Sequence, residues 1–258
     1  MAMHLAGYAQ SIDSAGVFAT VNPLADPMLF VQGVNIRVPV DTPNIIWAAG
    51  GADGVVVPRF RLTSPTLIAQ GRPEVKPLNV QNAAAVVPDS PLALQDMRQN
   101  PLALAPDELL FAELNNNPAA VQWQWMFLCF ADGVPTPIAG ADVRTVRATS
   151  AVAATANVWT NVVIAFDDAL QPGEYAVVGL RPQSTTMVAA RFVFRDDPAH
   201  RPGAMGAATA QNQTAPMFRN GNLGVWGTFP FQQIPTIDVF CQAADATQEF
   251  MIDLVKVG

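Results

Sequence analysis

The stretch Val34-Asn-Ile-Arg-Val-Pro-Val40 sets β-branched residues on every second position, with Asn35, Arg37 and Pro39 between them. Side chains alternate between the two faces of a strand, whereas a helix brings a face round every 3.6 residues. The pattern therefore predicts a strand with Val34, Ile36, Val38 and Val40 on one face. Pro39 has no amide hydrogen to give to a ladder, so this end is expected to be a sheet edge or a strand terminus.

The same period recurs along the chain. Val121, Trp123, Trp125 and Phe127 interleave with Gln122 and Gln124, and Val162, Ile164 and Phe166 repeat the spacing. Val188, Ala190, Phe192 and Phe194 stand against Ala189, Arg191 and Arg195. Further strands are predicted at Val55 to Leu62, Asp142 to Thr149, Glu174 to Leu180, Pro235 to Gln242 and Glu249 to Val257. Many short strands separated by Gly and Pro turns, such as Gly50-Gly-Ala-Asp-Gly54, Asp132-Gly133 and Gln171-Pro-Gly173, predict an all-β fold, a β-sandwich or barrel. Helical signals are confined to the middle. Ser90-Pro91 offers an N-cap with proline at the first helical position, and Pro106-Asp-Glu108 opens a second short candidate through Leu114, ended by Asn115-Asn-Asn-Pro118. A boundary near residue 117 would give two β units, 1–117 with a helical excursion at about 90–115, and 118–258. A single sandwich with a helical excursion reads the same residues equally well.

Composition narrows the function. The 258 residues are 50% hydrophobic and only 14% charged, with a formal net charge of −7. Disorder needs low hydrophobicity and high net charge, which excludes that class. Lys76 and Lys256 are the only lysines, and no basic arm or cluster is present. Holding nucleic acid through its phosphates requires concentrated positive charge, so direct sequence-specific nucleic-acid binding is not expected. The start, Met1 to Tyr8, lacks the positive and apolar regions of a signal peptide, and Ala148 to Phe166 is too polar for a membrane span. Two cysteines do not make a disulfide framework in a chain of this length, and Cys129 and Cys241 are expected to be buried free thiols.

No catalytic motif stands out. Gly-x-Ser-x-Gly, the phosphate-binding Gly-x-x-x-x-Gly-Lys-Ser/Thr and His-Glu-x-x-His are all missing from the sequence. The two histidines are His4, near a terminus read as loose, and His200, which follows Asp196 and Asp197 in a loop. That run could orient an imidazole or bind a metal, but it also reads as a solvated turn. The pairs Asp167-Asp168 and Asp196-Asp197 could offer oxygens to calcium, yet neighbours on a strand point to opposite faces, which favours strand-ending turns. The expectation is no catalytic, cofactor-binding or metal residues and no cofactor. Trp123 and Trp125 read as core; Trp47 and Trp226 read either as exposed anchors or as plugs at a sandwich end. The neutral stretches Ala207 to Pro216 and Thr149 to Asn161 suit either permanent subunit contacts or flexible loops.

Leu170-Gln-Pro-Gly-Glu-Tyr-Ala-Val-Val-Gly-Leu180, Met187-Val-Ala-Ala-Arg-Phe-Val-Phe194, Arg201-Pro-Gly203 and Glu249-Phe-Met-Ile-Asp-Leu-Val255 together resemble the strands and turns of viral jelly-roll coat proteins. In length and layout the chain is similar to the major capsid proteins of tailless, membrane-containing phages, which carry two jelly rolls in one chain. The resemblance implies a non-enzymatic, self-assembling capsid protein whose homotrimers, pseudo-hexagonal in outline, tile an icosahedral shell. It also implies other virion proteins such as a vertex protein as partners, an underlying lipid membrane, and a virion assembled in the host cytoplasm. The competing expectations are a binding module, such as a phage spike or fibre or a carbohydrate-binding sandwich anchored by Trp47 or Trp226, and an enzyme built around His200.

Overall fold

The computed structural model describes residues 1–52, 57–69, 78–79, 81–82, 94–117, 119–184, 186–205 and 224–258. The chain forms two compact units, one of Ala2–Val87 with Leu92–Gly133, the other with Val134–Gly258 as its main body. Nearly all regular structure is strand, as the period-two pattern predicts.

In the N-terminal unit the strands are β1 Met3–Ile12, β2 Ala19–Val21, β3 Val31–Gln32, β4 Asn35–Arg37, β5 Asn44–Ala52 and β6 Val57–Thr63. After the short helix α1 Pro65–Ala69 come β7 Leu78–Asn79, β8 Gln81–Asn82, β9 Leu94–Asp96, β10 Leu102–Ala103, β11 Leu109–Asn117 and β12 Gln122–Ala131. One sheet runs β1-β12-β5-β10, with β9 continuing β10 along β5; the other runs β3-β4-β11-β6-β7, with β2 continuing β4 along β11. Alternate residues of both sheets meet in one core: Ala6, Tyr8, Ala48, Met126, Leu128 and Phe130 from the first, and Val21, Phe60, Leu62, Leu110, Ala112 and Leu114 from the second.

In the C-terminal unit the strands are β13 Arg144–Ser150, β14 Trp159–Val162, β15 Ala165–Phe166, β16 Glu174–Gln183, β17 Met187–Val193, β18 Gly203–Met205, β19 Gly227–Pro230, β20 Thr236–Cys241 and β21 Gln248–Lys256. Here the sheets run β13-β21-β16-β19, with β15 on the free edge of β13, and β14-β20-β17-β18. The segment before β13 covers the outer face of the first of these sheets, where Ile138, Ala141 and Val143 pack on Ala176, Val178 and Val255.

The order of strands identifies both units as jelly rolls. Count β2 with β4, and β9 with β10, as one interrupted strand each, and set aside the short β3, β8 and β15. In each unit one sheet then reads first-eighth-third-sixth and the other second-seventh-fourth-fifth. Successive strands cross between sheets in the paired Greek keys of a jelly roll. The all-β, tandem jelly-roll architecture thus appears as a repeat of topology, although no repeat is visible in the sequence.

Three expectations are corrected. The division falls after Gly133 and not near 117, because β12 completes the N-terminal unit by pairing with β1 from Met3↔Ala131 to Ile12↔Gln122 and with β5 on its other side. The second predicted helix is strand β11: Leu110, Ala112 and Leu114 point into the core while the ladder partners β2, β4 and β6 saturate its backbone. Glu108 does cap a helix, but a different one; its carboxylate accepts from Thr66 N at 2.8 Å at the start of α1, where Ser64-Pro65 supplies the cap and first position expected at Ser90-Pro91. Residues 90–93 lie outside the described residues, and the segment that follows is strand β9. Third, Gly50 and Gly51 are not a turn but part of β5, opposite Met126 and Trp125.

The strand predicted from 34 to 40 is shorter than its pattern. Ile36 and Val38 are buried, but Val34 and Val40 are exposed beyond the ends of β4.

Candidate functional site

His200 is where sequence reasoning placed the best chance of chemistry. It lies in the turn after β17, in a cleft of about 200 Å³ whose walls include Phe194, Asp196, Asp197, Phe229 and Gln233. The imidazole is buried, its Nε2 donates to the Trp226 carbonyl, and its ring stacks on Phe194 with centroids 5.3 Å apart. The backbone N–H of His200 is bound within the turn by Asp197, to the carbonyl at 3.1 Å and to the carboxylate at 3.3 Å. Nε2 is thus committed to the fold, and the Asp-Asp-Pro-Ala-His run is a turn whose last residue is a buried plug, packed on Phe194 and tied to the Trp226 carbonyl.

His4 is not at a loose end. It sits in β1, buried, with Nε2 2.9 Å from the buried Asp26 carboxylate. Asp167 is also committed: Arg147 lies 2.5 Å from it and 2.9 Å from Glu249, binding three strands across one sheet face. Among the described residues no group of three His, Cys, Asp or Glu side chains is placed to hold a metal ion.

The tryptophans correct the anchor reading. Trp47 lies within β5 and Trp226 just before β19, and both are fully buried. Trp226 N donates to Val177 O at 2.8 Å, and its ring meets Phe192 edge-on at 6.5 Å. Trp125 and Phe127 are core as expected, but Trp123 is only half-buried and Val121 at the head of the same stripe is exposed. Both cysteines are free and buried. Burial pushes the Cys241 thiol up to about 12 and raises that of Cys129 as well. A thiol in that state has almost no thiolate and is a poor nucleophile.

Sequence reasoning missed the charged rows on the outer faces of the second sheets. In the C-terminal unit the buried Asp238 carboxylate accepts from Arg191 Nε at 3.0 Å, Arg201 Nη1 at 2.6 Å and Asn161 Nδ2 at 2.8 Å. Trp159 lies flat against this cluster, 4.2 Å from the Arg191 guanidinium. In the N-terminal unit Arg61 grips Glu113 through two hydrogen bonds of 2.7 and 3.2 Å and sits 4.0 Å over Phe18. A second buried pair, Arg181 and Asp253 at 3.0 Å, is completed by Thr145. An arginine inside the apolar run of 187–194 and an aspartate inside 237–241 were the signals, since a charge in a buried strand needs a partner.

No protein-family model and no curated protein matches the sequence. Among solved structures, the chain is similar to the major capsid protein P2 from Bacteriophage PM2. The two share 10% identity, the match covers 99% of this chain and 98% of that one, and the TM-score is 0.28. At that score the likeness adds nothing to the strand order, on which the jelly-roll reading rests.

Among the described residues, some sheet edges expose large apolar side chains. Met28, Phe30, Val34 and Val40 surround the β3–β4 edge of the N-terminal unit, and Val152, Val158 and Val163 flank the edge strand β14 of the C-terminal unit. Natural proteins usually blunt such edges with charge, because an unpaired strand row is a template for another chain. These apolar sheet edges are the candidate functional surface.

Proposed function

We propose that the chain is a structural, self-assembling coat subunit of a virion, a phage capsid protein without enzymatic activity. The observation that carries this reading is the repeated strand order: two jelly rolls of one topology in a single chain. A trimer of such chains presents six similar rolls around its axis, three copies of two each, and a six-fold outline tiles a closed shell. The apolar edges supply the contact surface, and the low charge lowers the desolvation cost of covering it. The chain's acidic balance suits a shell that does not hold its genome directly. A vertex protein and an underlying membrane are the further partners of this reading, and the host cytoplasm is its place of assembly.

The burial of Trp47 and Trp226 leaves the binding-module alternative without the anchors on which it rested. Size-exclusion chromatography with light scattering, followed by negative-stain microscopy, tests the coat reading. Trimers or larger regular assemblies are expected; a monomer at every concentration overturns it.

A further inference from the structure

The hairpin of β3 and β4 is an edge of its sheet with an unusual surface. Met28 is 42% exposed, Phe30 59%, Val34 38% and Val40 64%. From Leu24 to Asp41 the sequence carries three charged residues, Asp26, Arg37 and Asp41. Asp26 is buried against His4, so Arg37 and the terminal Asp41 are the charges this stretch offers to solvent. The partner of Arg37 is Asp107, 3.0 Å away, with the two side chains 34% and 61% exposed.

The patch is held ready. Arg37 N donates to Phe30 O at 2.9 Å, the guanidinium lies 5.0 Å from the Phe30 ring centroid, and Nη2 donates to Gln32 Oε1 at 3.2 Å. Asp107 has φ 68°, a left-handed conformation that few non-glycine residues adopt, and its N–H is tied to Val38 O at 3.0 Å. Such strain persists where the surroundings impose it, and it gathers at functional sites. Fixing an exposed aromatic ring beforehand lowers the ordering cost of docking on it.

We propose that a second copy of the chain docks on this edge in a two-fold arrangement, with Phe30 at the centre and Arg37 of each copy beside Asp107 of the other. This rests on the self-assembly reading and names one of its surfaces. A two-fold contact joins a patch to itself, so the patch must be self-complementary. The chain has 21 acidic and 14 basic residues, so an average acidic patch repels its own copy. This one pairs the cation Arg37 with Asp107, with Asp41 at its rim, and a two-fold axis that brings Arg37 of each copy to Asp107 of the other sets opposite charges together. An apolar middle with a polar rim is the usual build of a protein interface.

Sedimentation of the full chain tests the contact. Phe30→Asp should weaken association at least tenfold. Arg37→Asp makes the 37/107 pair two acids and Asp107→Arg makes it two bases, so each variant alone should also self-associate at least tenfold more weakly. Mixed one to one, these two variants should associate again, because each acid then faces a base of the other chain. An effect confined to the intrachain pair could not be repaired by mixing. If the single variants associate like the wild type, or the mixture stays apart, this interface is wrong while self-assembly stands. A wild-type chain that never associates overturns the self-assembly reading itself.

Discussion

Arg191 faces Asp238 directly across the β17/β20 ladder, and Arg61 faces Glu113 in the same way across β6/β11. In both jelly rolls these are the fourth and seventh strands, and in both an aromatic at the second strand lies against the arginine, Trp159 at 4.2 Å and Phe18 at 4.0 Å. The repeat of topology thus extends to a repeated arginine, acid and aromatic group. The two copies differ in burial. Arg191 and Asp238 are sealed, with Arg201 added, whereas Arg61 and Glu113 keep some contact with solvent.

That difference sets their cost on mutation. Asp238→Ala strands Arg191 and Arg201 without their shared carboxylate, and breaking a buried pair in this way costs about 3–5 kcal/mol. Glu113→Ala leaves an arginine that water can reach, for which about 1 kcal/mol is expected. Urea unfolding of the two variants checks the order; equal losses would mean that burial does not separate the two groups.

Gly7 is a packing requirement. A Cβ there would come within 2.7 Å of Leu24 Cδ1 and of Phe127 Cε1. Gly7→Ala should therefore destabilise the protein by about 1–3 kcal/mol through overpacking, and a milder change should follow when Leu24→Ala is added to open the space. Thermal unfolding of the single and double variants measures this.

His200 should matter to stability. His200→Ala removes the bond to the Trp226 carbonyl and the stack on Phe194, an expected loss of about 1–3 kcal/mol. An unchanged unfolding midpoint would show that the imidazole is not a plug.

The buried acids set an alkaline limit. Burial raises the Cys241 thiol to about 12 and raises Cys129 and the Tyr8 phenol too, so folding holds their protons more tightly than the unfolded chain does. Their contribution is complete below the ordinary thiol value of 9.0 and is lost as pH rises toward the folded values. At the other end, hydrogen bonds from Arg147 and Arg98 hold Glu249 and Asp96 low, a contribution present above the ordinary carboxylate range and lost as pH falls below it. Unfolding midpoints should be flat from about pH 5 to about pH 8.5 and fall on both sides. Native protein at pH 8 should leave both thiols unreactive toward a disulfide reagent until it unfolds; rapid native labelling would contradict their burial.

Much of the fold was legible from periodicity alone. Strands β12, β13, β16, β17, β20 and β21 stand close to where alternation placed them, because a half-buried strand writes its faces into every second residue. Strand β11 was not legible, since Pro106-Asp-Glu108 before an apolar run is a valid helix start and only the flanking ladders make it a strand. The jelly-roll order was not legible either, because which strands become neighbours depends on contacts between residues as distant as Met3 and Ala131.

By itself, then, the sequence determined the all-β class, the buried thiols and the scarcity of exposed charge, all of which follow from residue type and local spacing. The tertiary structure decided the partners: that Arg191 meets Asp238, that Trp47 and Trp226 turn inward, that the first roll ends at Gly133, and that Phe30 and Val40 stay outside. Those outcomes depend on which strands pair and in what register, and pairing energy is shared among residues that the sequence holds far apart.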